Sequence, residues 1–133
     1  MATEQFQSWA TTHAGNARKH NEDALLDRPD LGLWAVADGA GGHARGDVAS
    51  RMVIEALDAI PPSLGAAEML AEVRQRIAAA HTELQAMQDG EDISATTIVV
   101  LIARDGHFAC LWAGDSRAYL LRNKELEIGR AHV

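Results

Sequence analysis

The chain has 133 residues, of which 47% are hydrophobic, and its formal net charge is −7 because 19 acidic residues outnumber 12 basic ones. This length and apolar content predict one globular domain and exclude a disordered chain. The acidic balance argues against a nucleic-acid binder, which needs a basic surface for the phosphate backbone. Because there is neither a secretion signal nor a stretch of about 18 apolar residues, we expect a cytoplasmic protein without a membrane partner.

The first forty residues predict a β meander. Residues 6–13 alternate apolar and polar side chains as a half-buried strand does, and Gly15-Asn16 follows as a turn. Residues 23–27 and 31–37 then predict two strands joined at a short proline-containing turn.

Two helices are predicted next, and we expect them to lie antiparallel. The first begins at Asp47, the expected N-cap, and ends before Pro61-Pro62. Its apolar stripe is Val48, Met52, Ala56, Leu57 and Ile60. The second ends at Asp89-Gly90, and its stripe is Met69, Val73, Ile77, Ala80, Leu84 and Met87.

The remainder of the chain predicts further strands, over residues 96–103, 108–113 and 118–121. Arg104-Asp105-Gly106 is typical of a hairpin turn between the first two. Strands, then helices, then strands, without alternation of the two, predict an α+β domain in which helices cover an antiparallel sheet.

The tryptophans and the single cysteine are expected to be structural. Trp9, Trp34 and Trp112 all fall in predicted strands, so we expect core positions for them. Cys110 lies in an apolar run and is expected to be a small buried hydrophobe rather than a nucleophile.

A glycine-rich acidic segment, Asp38-Gly39-Ala40-Gly41-Gly42-His43, follows an apolar strand. One interpretation is a turn that leads into the first helix. The other is a ligand site, because the strand would deliver the Asp38 carboxylate to a sheet end and the glycines would allow close backbone approach to a ligand.

A second polar segment runs from Arg18 to Asp23 and could be either a solvated loop or part of the same site. The Glu22 and Asp23 carboxylates suit Mg²⁺ or Mn²⁺, and the Arg18 guanidinium suits a phosphate dianion. Since this segment leads into the strand expected beside the one that ends at Asp38, both segments can converge on one sheet end. Phosphate ester hydrolysis is the hypothesis that follows.

A third segment, Gly114-Asp115-Ser116-Arg117, interrupts two predicted strands and by itself is typical of a plain turn. Together and in this order, the three segments resemble the metal-dependent protein serine/threonine phosphatases of the type-2C or PPM class, in their bacterial form. The resemblance covers residues 9–122 and implies two stacked antiparallel sheets flanked by helix pairs.

The resemblance also implies roles for individual residues. Arg18 would hold the substrate phosphate, Asp38 would bridge two Mn²⁺ or Mg²⁺ ions, and Glu22 would ligate one of them. The Gly39 carbonyl would complete a ligand set, Asp115 would belong to a looser third metal site, and Asp23 would orient metal-bound water. Its members hydrolyse phosphoserine and phosphothreonine, so the implied partners are phosphorylated proteins, the products of a serine/threonine kinase.

The chain departs from the family's pattern in two respects. Ala40 stands where animal members carry a histidine, and the Ser-Asp-Gly and Asp-Asn motifs that supply further metal-binding aspartates are absent. We therefore expect residues 1–122 to be the N-terminal part of a catalytic domain, residues 123–133 to be a tail unlike the family, and activity to be weak or lost. A non-catalytic module that binds phosphate or a partner is the alternative.

Overall fold

The computed structural model describes residues 5–13, 22–40, 46–87, 95–114 and 117–130. In these ranges the helices are α1 (Gly46–Asp58) and α2 (Ala66–Met87). The strands are β1 (Asp23–Arg28), β2 (Leu33–Ala40), β3 (Ala95–Thr96), β4 (Ile98–Arg104), β5 (His107–Ala113), β6 (Arg117–Arg122) and β7 (Glu125–Arg130).

One five-stranded sheet forms the centre of the fold. Its order is β1-β2-β4-β5, with the short β3 paired to the end of β2, and every pairing is antiparallel. Strands β6 and β7 form a separate hairpin. The turn between β4 and β5 has positive φ at Asp105 and Gly106, as a two-residue hairpin turn requires, so the sequence prediction of this hairpin is confirmed. The α+β class with an antiparallel sheet is also confirmed.

Both helices pack on one face of the sheet and enclose the core between them. The core joins inward side chains of β2 and β4, such as Leu33 and Val100, to Leu57 of α1 and Val73 of α2. Because strand side chains alternate between faces, every second residue of these strands points away from the helices. Neither described helix has the length and apolar character needed to cross a membrane.

The predicted helical stripes were partly wrong. The buried face of α1 is formed by Ala49, Ser50, Val53, Ile54 and Leu57. Val48, Met52 and Ala56 are only half-buried and line the groove beside α2, because α1 meets both the sheet and its neighbouring helix. Met87 is 58% exposed, beyond the last buried residue of α2, Leu84.

The expected N-cap, Asp47, lies inside the first turn, since α1 begins at Gly46. The second helix's predicted end, Asp89-Gly90, lies outside the described residues.

Residues 6–13 do not form the predicted strand. They make side-chain contacts with the sheet face opposite the helices, and no strand of the described ranges runs beside them to pair with their backbone. The Phe6 ring meets Trp34 edge-on with centroids 5.3 Å apart, and the Ser8 hydroxyl donates to the Asp27 carboxylate at 2.5 Å. Trp9 is 85% exposed, so its expected core position was wrong.

The sheet face opposite the helices is called the outer face here and is largely apolar. Its register aligns two rows across the strands: Leu25, Val36, Val99 and Trp112 in one, and Asp27, Trp34, Leu101 and Cys110 in the other. The next row, at the end of the sheet, consists of Asp23 and Asp38. A single face therefore carries an apolar surface and a pair of carboxylates at its end.

Candidate metal and phosphate site

Three of the sequence segments reach the same end of the sheet. In an antiparallel sheet the start of one strand lies beside the end of the next. Asp23, the first residue of β1, is accordingly the register partner of Asp38, near the end of β2. Thr97, just before β4, and Gly114, just after β5, lie at this end as well.

The main chain at Glu22 is fixed to both β2 and α1. Its carbonyl oxygen accepts a hydrogen bond from the Gly39 N–H at 3.1 Å and another from the Ser50 hydroxyl at 2.6 Å. Ser50 is 1% exposed and is a buried polar residue of α1. A carbonyl that accepts two buried donors holds its residue in place, so the Glu22 side chain projects from a rigid point.

The main chain at Asp38 is held from the other side by Thr97. The Asp38 N–H donates to the Thr97 hydroxyl at 3.2 Å, and the Thr97 N–H donates to the Asp38 carbonyl at 2.9 Å. The Ala37 side chain is buried in the core, and a Cβ at Gly39 would point at the start of α1, so the Asp38 carboxylate between them lies on the outer face. The carboxylates of Asp23 and Asp38 therefore share one face.

Gly39 is required by contacts within the protein. A Cβ at this position would overlap the Gly46 carbonyl at the start of α1 and would lie 2.7 Å from the Glu22 carbonyl oxygen. The sequence pattern alone indicates close approach of a ligand at this glycine. The structure shows a close approach of three backbone segments that all belong to the site.

Gly114 brings the third segment to the same place. Its φ is +106°, which L side chains rarely adopt, and a Cβ there would lie 2.5 Å from Cγ2 of Thr97. Gly114 therefore lies against Thr97, the residue that holds Asp38. Asp115, the expected ligand of a third metal site, follows directly but lies outside the described residues.

Other expected site residues also fall outside the described ranges. They include Arg18 and Asn21 from the second segment, and Gly41, Gly42 and His43 from the first. The structure thus brings Glu22, Asp23, Asp38 and Gly39 together, while the phosphate-binding role of Arg18 stays a prediction.

The chemical character of the site suits a hard divalent cation. Glu22, Asp23 and Asp38 supply carboxylate oxygens, the ligands that Mg²⁺ and Mn²⁺ prefer, and formal charges that sum to −3. In the described ranges, however, no three histidine, cysteine or acidic side chains converge closely enough to hold a metal ion. The carboxylate oxygens are therefore the right type of ligand for such a cation, but the described residues alone do not form a complete set of metal ligands.

Two residues that position the carboxylates, Ser50 and Thr97, are not among the expected site residues. Both leave a signal in the sequence, since Ser50 falls on the buried side of an amphipathic helix and Thr97 precedes a long apolar strand. A polar residue in such a position needs a hydrogen-bond partner, and here the partners are the backbones of Glu22 and Asp38.

Comparison with known proteins identifies the family of the chain. The family model described as protein phosphatase 2C matches residues 11–128. The chain is 34% identical over 120 residues to the serine/threonine protein phosphatase PstP of Mycobacterium tuberculosis. The aligned region covers 88% of this chain and 23% of PstP.

Two solved structures extend the comparison. PppA, a key regulatory component of T6SS in Pseudomonas aeruginosa, has 40% identity and a TM-score of 0.76, covering 87% of this chain and 51% of that one. The catalytic domain of PstP in complex with two manganese ions has 36% identity and a TM-score of 0.66. The match covers 87% of this chain and 51% of that one. This chain thus spans about half of each solved structure and less of the full-length relative. The extent of the family match shows that the chain belongs to the protein phosphatase 2C family.

Proposed function

We propose that this chain contributes the first half of the active site of a metal-dependent phosphatase acting on phosphoserine and phosphothreonine in proteins. The observation that carries the proposal is the register pair Asp23 and Asp38, which shares one sheet end with Glu22. Family membership and the manganese-bound relative support the same activity.

In this proposal Asp38 and Glu22 hold Mn²⁺ or Mg²⁺, the Gly39 carbonyl adds a neutral oxygen, and Asp23 binds water at the site. When bound, a pair of divalent ions supplies Lewis-acid activation of water and of the phosphoryl group. The chain's own contribution is a fixed frame, because hydrogen bonds with the Ser50 and Thr97 side chains hold the backbones of Glu22 and Asp38. A frame that does not relax keeps the carboxylates oriented for reaction.

Arg18 and Asp115 complete the proposal. Arg18 binds the substrate phosphate through its planar guanidinium, and Asp115 belongs to a weak third metal site. Residues 1–122 form the N-terminal part of the catalytic domain, with residues 123–133 as a tail that includes β7. The substrates are products of a serine/threonine kinase, in the cytoplasm of a bacterium.

Hydrolysis of a phosphothreonine peptide, measured with and without Mn²⁺, tests this function. We expect slow, Mn²⁺-dependent phosphate release that Asp38→Asn abolishes. The matched control is Asp105→Asn, the same chemical change in the β4–β5 turn at the opposite end of the sheet, where φ of +56° suits asparagine. Equal rates in the chain and in Asp38→Asn would refute the proposal. If Arg18 binds phosphate, Arg18→Ala should raise KM more than it lowers kcat.

The second candidate is a module that binds phosphate or a partner without hydrolysis. The incomplete ligand set of the described residues favours it, because a site with few carboxylates binds divalent ions weakly. In that case the peptide should bind the chain without being hydrolysed at any Mn²⁺ concentration.

A further inference from the structure

An apolar cleft lies on the helix face of the sheet, opposite the carboxylates. It has a volume of about 700 Å³ and runs between α2 and the strands β3, β4 and β5. Its floor consists of buried core residues, namely Val53, Ala80, Leu84 and Ile98. Because protein interiors are normally filled by side chains, an apolar space that reaches the core is suited to holding a small ligand.

Both walls of the cleft carry small side chains. The wall on α2 includes Ala78, and the wall on the sheet includes Ala95 and Ala113. Ala113 lies on the helix face because its register partner is the buried Ile98. Small side chains on both walls leave a slot, and a flat apolar ring fills a slot with contacts on each of its sides.

The polar residues of the cleft are cationic or neutral. Arg74, His81 and Gln85 border it from α2, on one face of the helix because they are spaced by two turns and then one. Among the described residues that line the cleft there is no aspartate or glutamate, although the chain carries 19 acidic residues. The cleft is therefore an electropositive place in an acidic protein, and it favours an anionic ligand.

Arg74 is available to such a ligand. The other two arginines of the helices are each paired with a carboxylate, Arg51 with Asp47 and Arg76 with Glu72, whereas the Arg74 guanidinium makes no ion pair within the part of the chain that the structure describes. A free guanidinium binds a carboxylate through two parallel N–H···O bonds. One arginine balances one negative charge, so a monocarboxylate fits better than a phosphate dianion in a protein of net charge −7.

We propose that this cleft binds a small monocarboxylate with a flat apolar ring. The ring packs on the floor around Leu84 and Ile98, and the carboxylate lies at the rim beside Arg74. Since the floor is buried and Arg74 is exposed, the ring leaves water while the charged end stays in contact with it. The site lies on the opposite face of the sheet from Asp23 and Asp38, so it is independent of the proposed phosphatase function.

Titration followed by two-dimensional NMR tests this proposal, with naphthalene-2-carboxylate and its neutral carboxamide as the probes. The two probes share the ring and differ in charge. We expect the carboxylate to bind with a Kd on the order of 0.1–1 mM, as ligands of this size do. It should bind roughly fivefold more tightly than the carboxamide, because only the carboxylate pairs with the arginine. The amide signals that shift should belong to residues of the cleft, such as Ile77, His81 and Ile98.

Three variants separate the charge of the cleft from its shape. Arg74→Gln should remove most of the preference for the carboxylate and leave the affinity for the carboxamide within about twofold. The matched control, Arg122→Gln, removes an exposed arginine that borders a groove on the outer face, and it should change neither affinity. Ala78→Trp, at an exposed position of α2, fills the slot and should weaken the binding of both probes at least about tenfold without disturbing the core.

Several results would overturn the proposal. They are carboxylate binding too weak to detect, signal shifts confined to residues outside the cleft, equal affinities for the two probes, or affinities that Ala78→Trp leaves unchanged. A preference for the carboxylate that survives Arg74→Gln, or that disappears in Arg122→Gln, would overturn it as well. Each of these results would leave the proposed phosphatase function intact, because that function depends on the carboxylates of the opposite face.

Discussion

Replacing Gly39 with alanine should destabilise the domain at its candidate site. The new methyl group would lie 2.7 Å from the Glu22 carbonyl oxygen and 2.5 Å from the Gly46 carbonyl carbon, where ordinary contacts begin at about 3.4 Å. Both contacted groups are backbone carbonyls, so no side chain can rotate away. Strand β2 and the start of α1 must separate by about 1 Å, because the Cβ would overlap the Gly46 carbonyl, and the residue before β1 must also shift.

The expected loss of stability is about 1–3 kcal/mol, the usual cost of inserting a group into a packed site. For a domain of this size each kcal/mol lowers Tm by roughly 3–5 °C, so a decrease of about 3–15 °C is expected. The separation also lengthens the bond from the Gly39 N–H to the Glu22 carbonyl, which frees Glu22 from β2. Thermal unfolding followed by circular dichroism measures the first effect, and Mn²⁺ affinity measures the second.

The matched control is Gly65→Ala. There the nearest atom to an added Cβ is a side-chain oxygen of Asp105 at 3.8 Å, an ordinary contact. This variant should change stability by less than about 1 kcal/mol, since it alters only the residue before α2 and the unfolded chain. If the Gly39→Ala variant were as stable as the Gly65→Ala variant, the close packing of Gly39 against the Glu22 and Gly46 backbones would be refuted.

Three further predictions concern single side chains. Ser50→Ala should cost about 1 kcal/mol in urea unfolding and weaken Mn²⁺ binding, because the Glu22 carbonyl loses a 2.6 Å donor; unchanged Mn²⁺ affinity would remove Ser50 from the positioning role. The Arg28 guanidinium lowers the pKa of Asp30 by hydrogen bonding. This ion pair therefore stabilises the fold fully at pH values above the ordinary pKa of Asp30. The stabilisation is lost as the pH falls through the lowered pKa of Asp30 in the folded protein. Because both groups are solvent-exposed, Asp30→Asn should cost only a few tenths of a kcal/mol at pH 6 and less at pH 2, and a cost that grows on acidification would contradict this. Burial raises the pKa of the Cys110 thiol, so its alkylation at pH 8 should be slower than that of an unfolded control, and an equal rate would refute the burial.

The sequence was most informative where local chemistry determines structure. The β4–β5 hairpin follows from Asp105-Gly106, residues that accept positive φ, and the two helices follow from apolar periodicity between glycine and proline signals. The convergence of Asp23 and Asp38 also follows, because two consecutive strands joined by a short turn must be antiparallel.

Tertiary contacts determined the rest. Alternation in residues 6–13 is a real property of the sequence, yet a strand also needs a neighbour, and none of the described strands runs beside this segment. The Ser50 hydroxyl, on the buried face of α1, donates to the Glu22 carbonyl, and the identity of this partner is a tertiary contact that periodicity does not reveal. Likewise, Thr97 splits the predicted strand 96–103 into β3 and β4 by bonding to the Asp38 backbone.

Mn²⁺ binding tests the central claim, that the carboxylates at this sheet end form a cation site. Electron paramagnetic resonance of free Mn²⁺ gives the affinity of the chain, of Asp38→Asn and of the control Asp105→Asn. We expect weak binding by the chain, unchanged affinity in Asp105→Asn and at least about a tenfold loss in Asp38→Asn. Binding by Asp38→Asn that is as tight as that of the unaltered chain would contradict the claim.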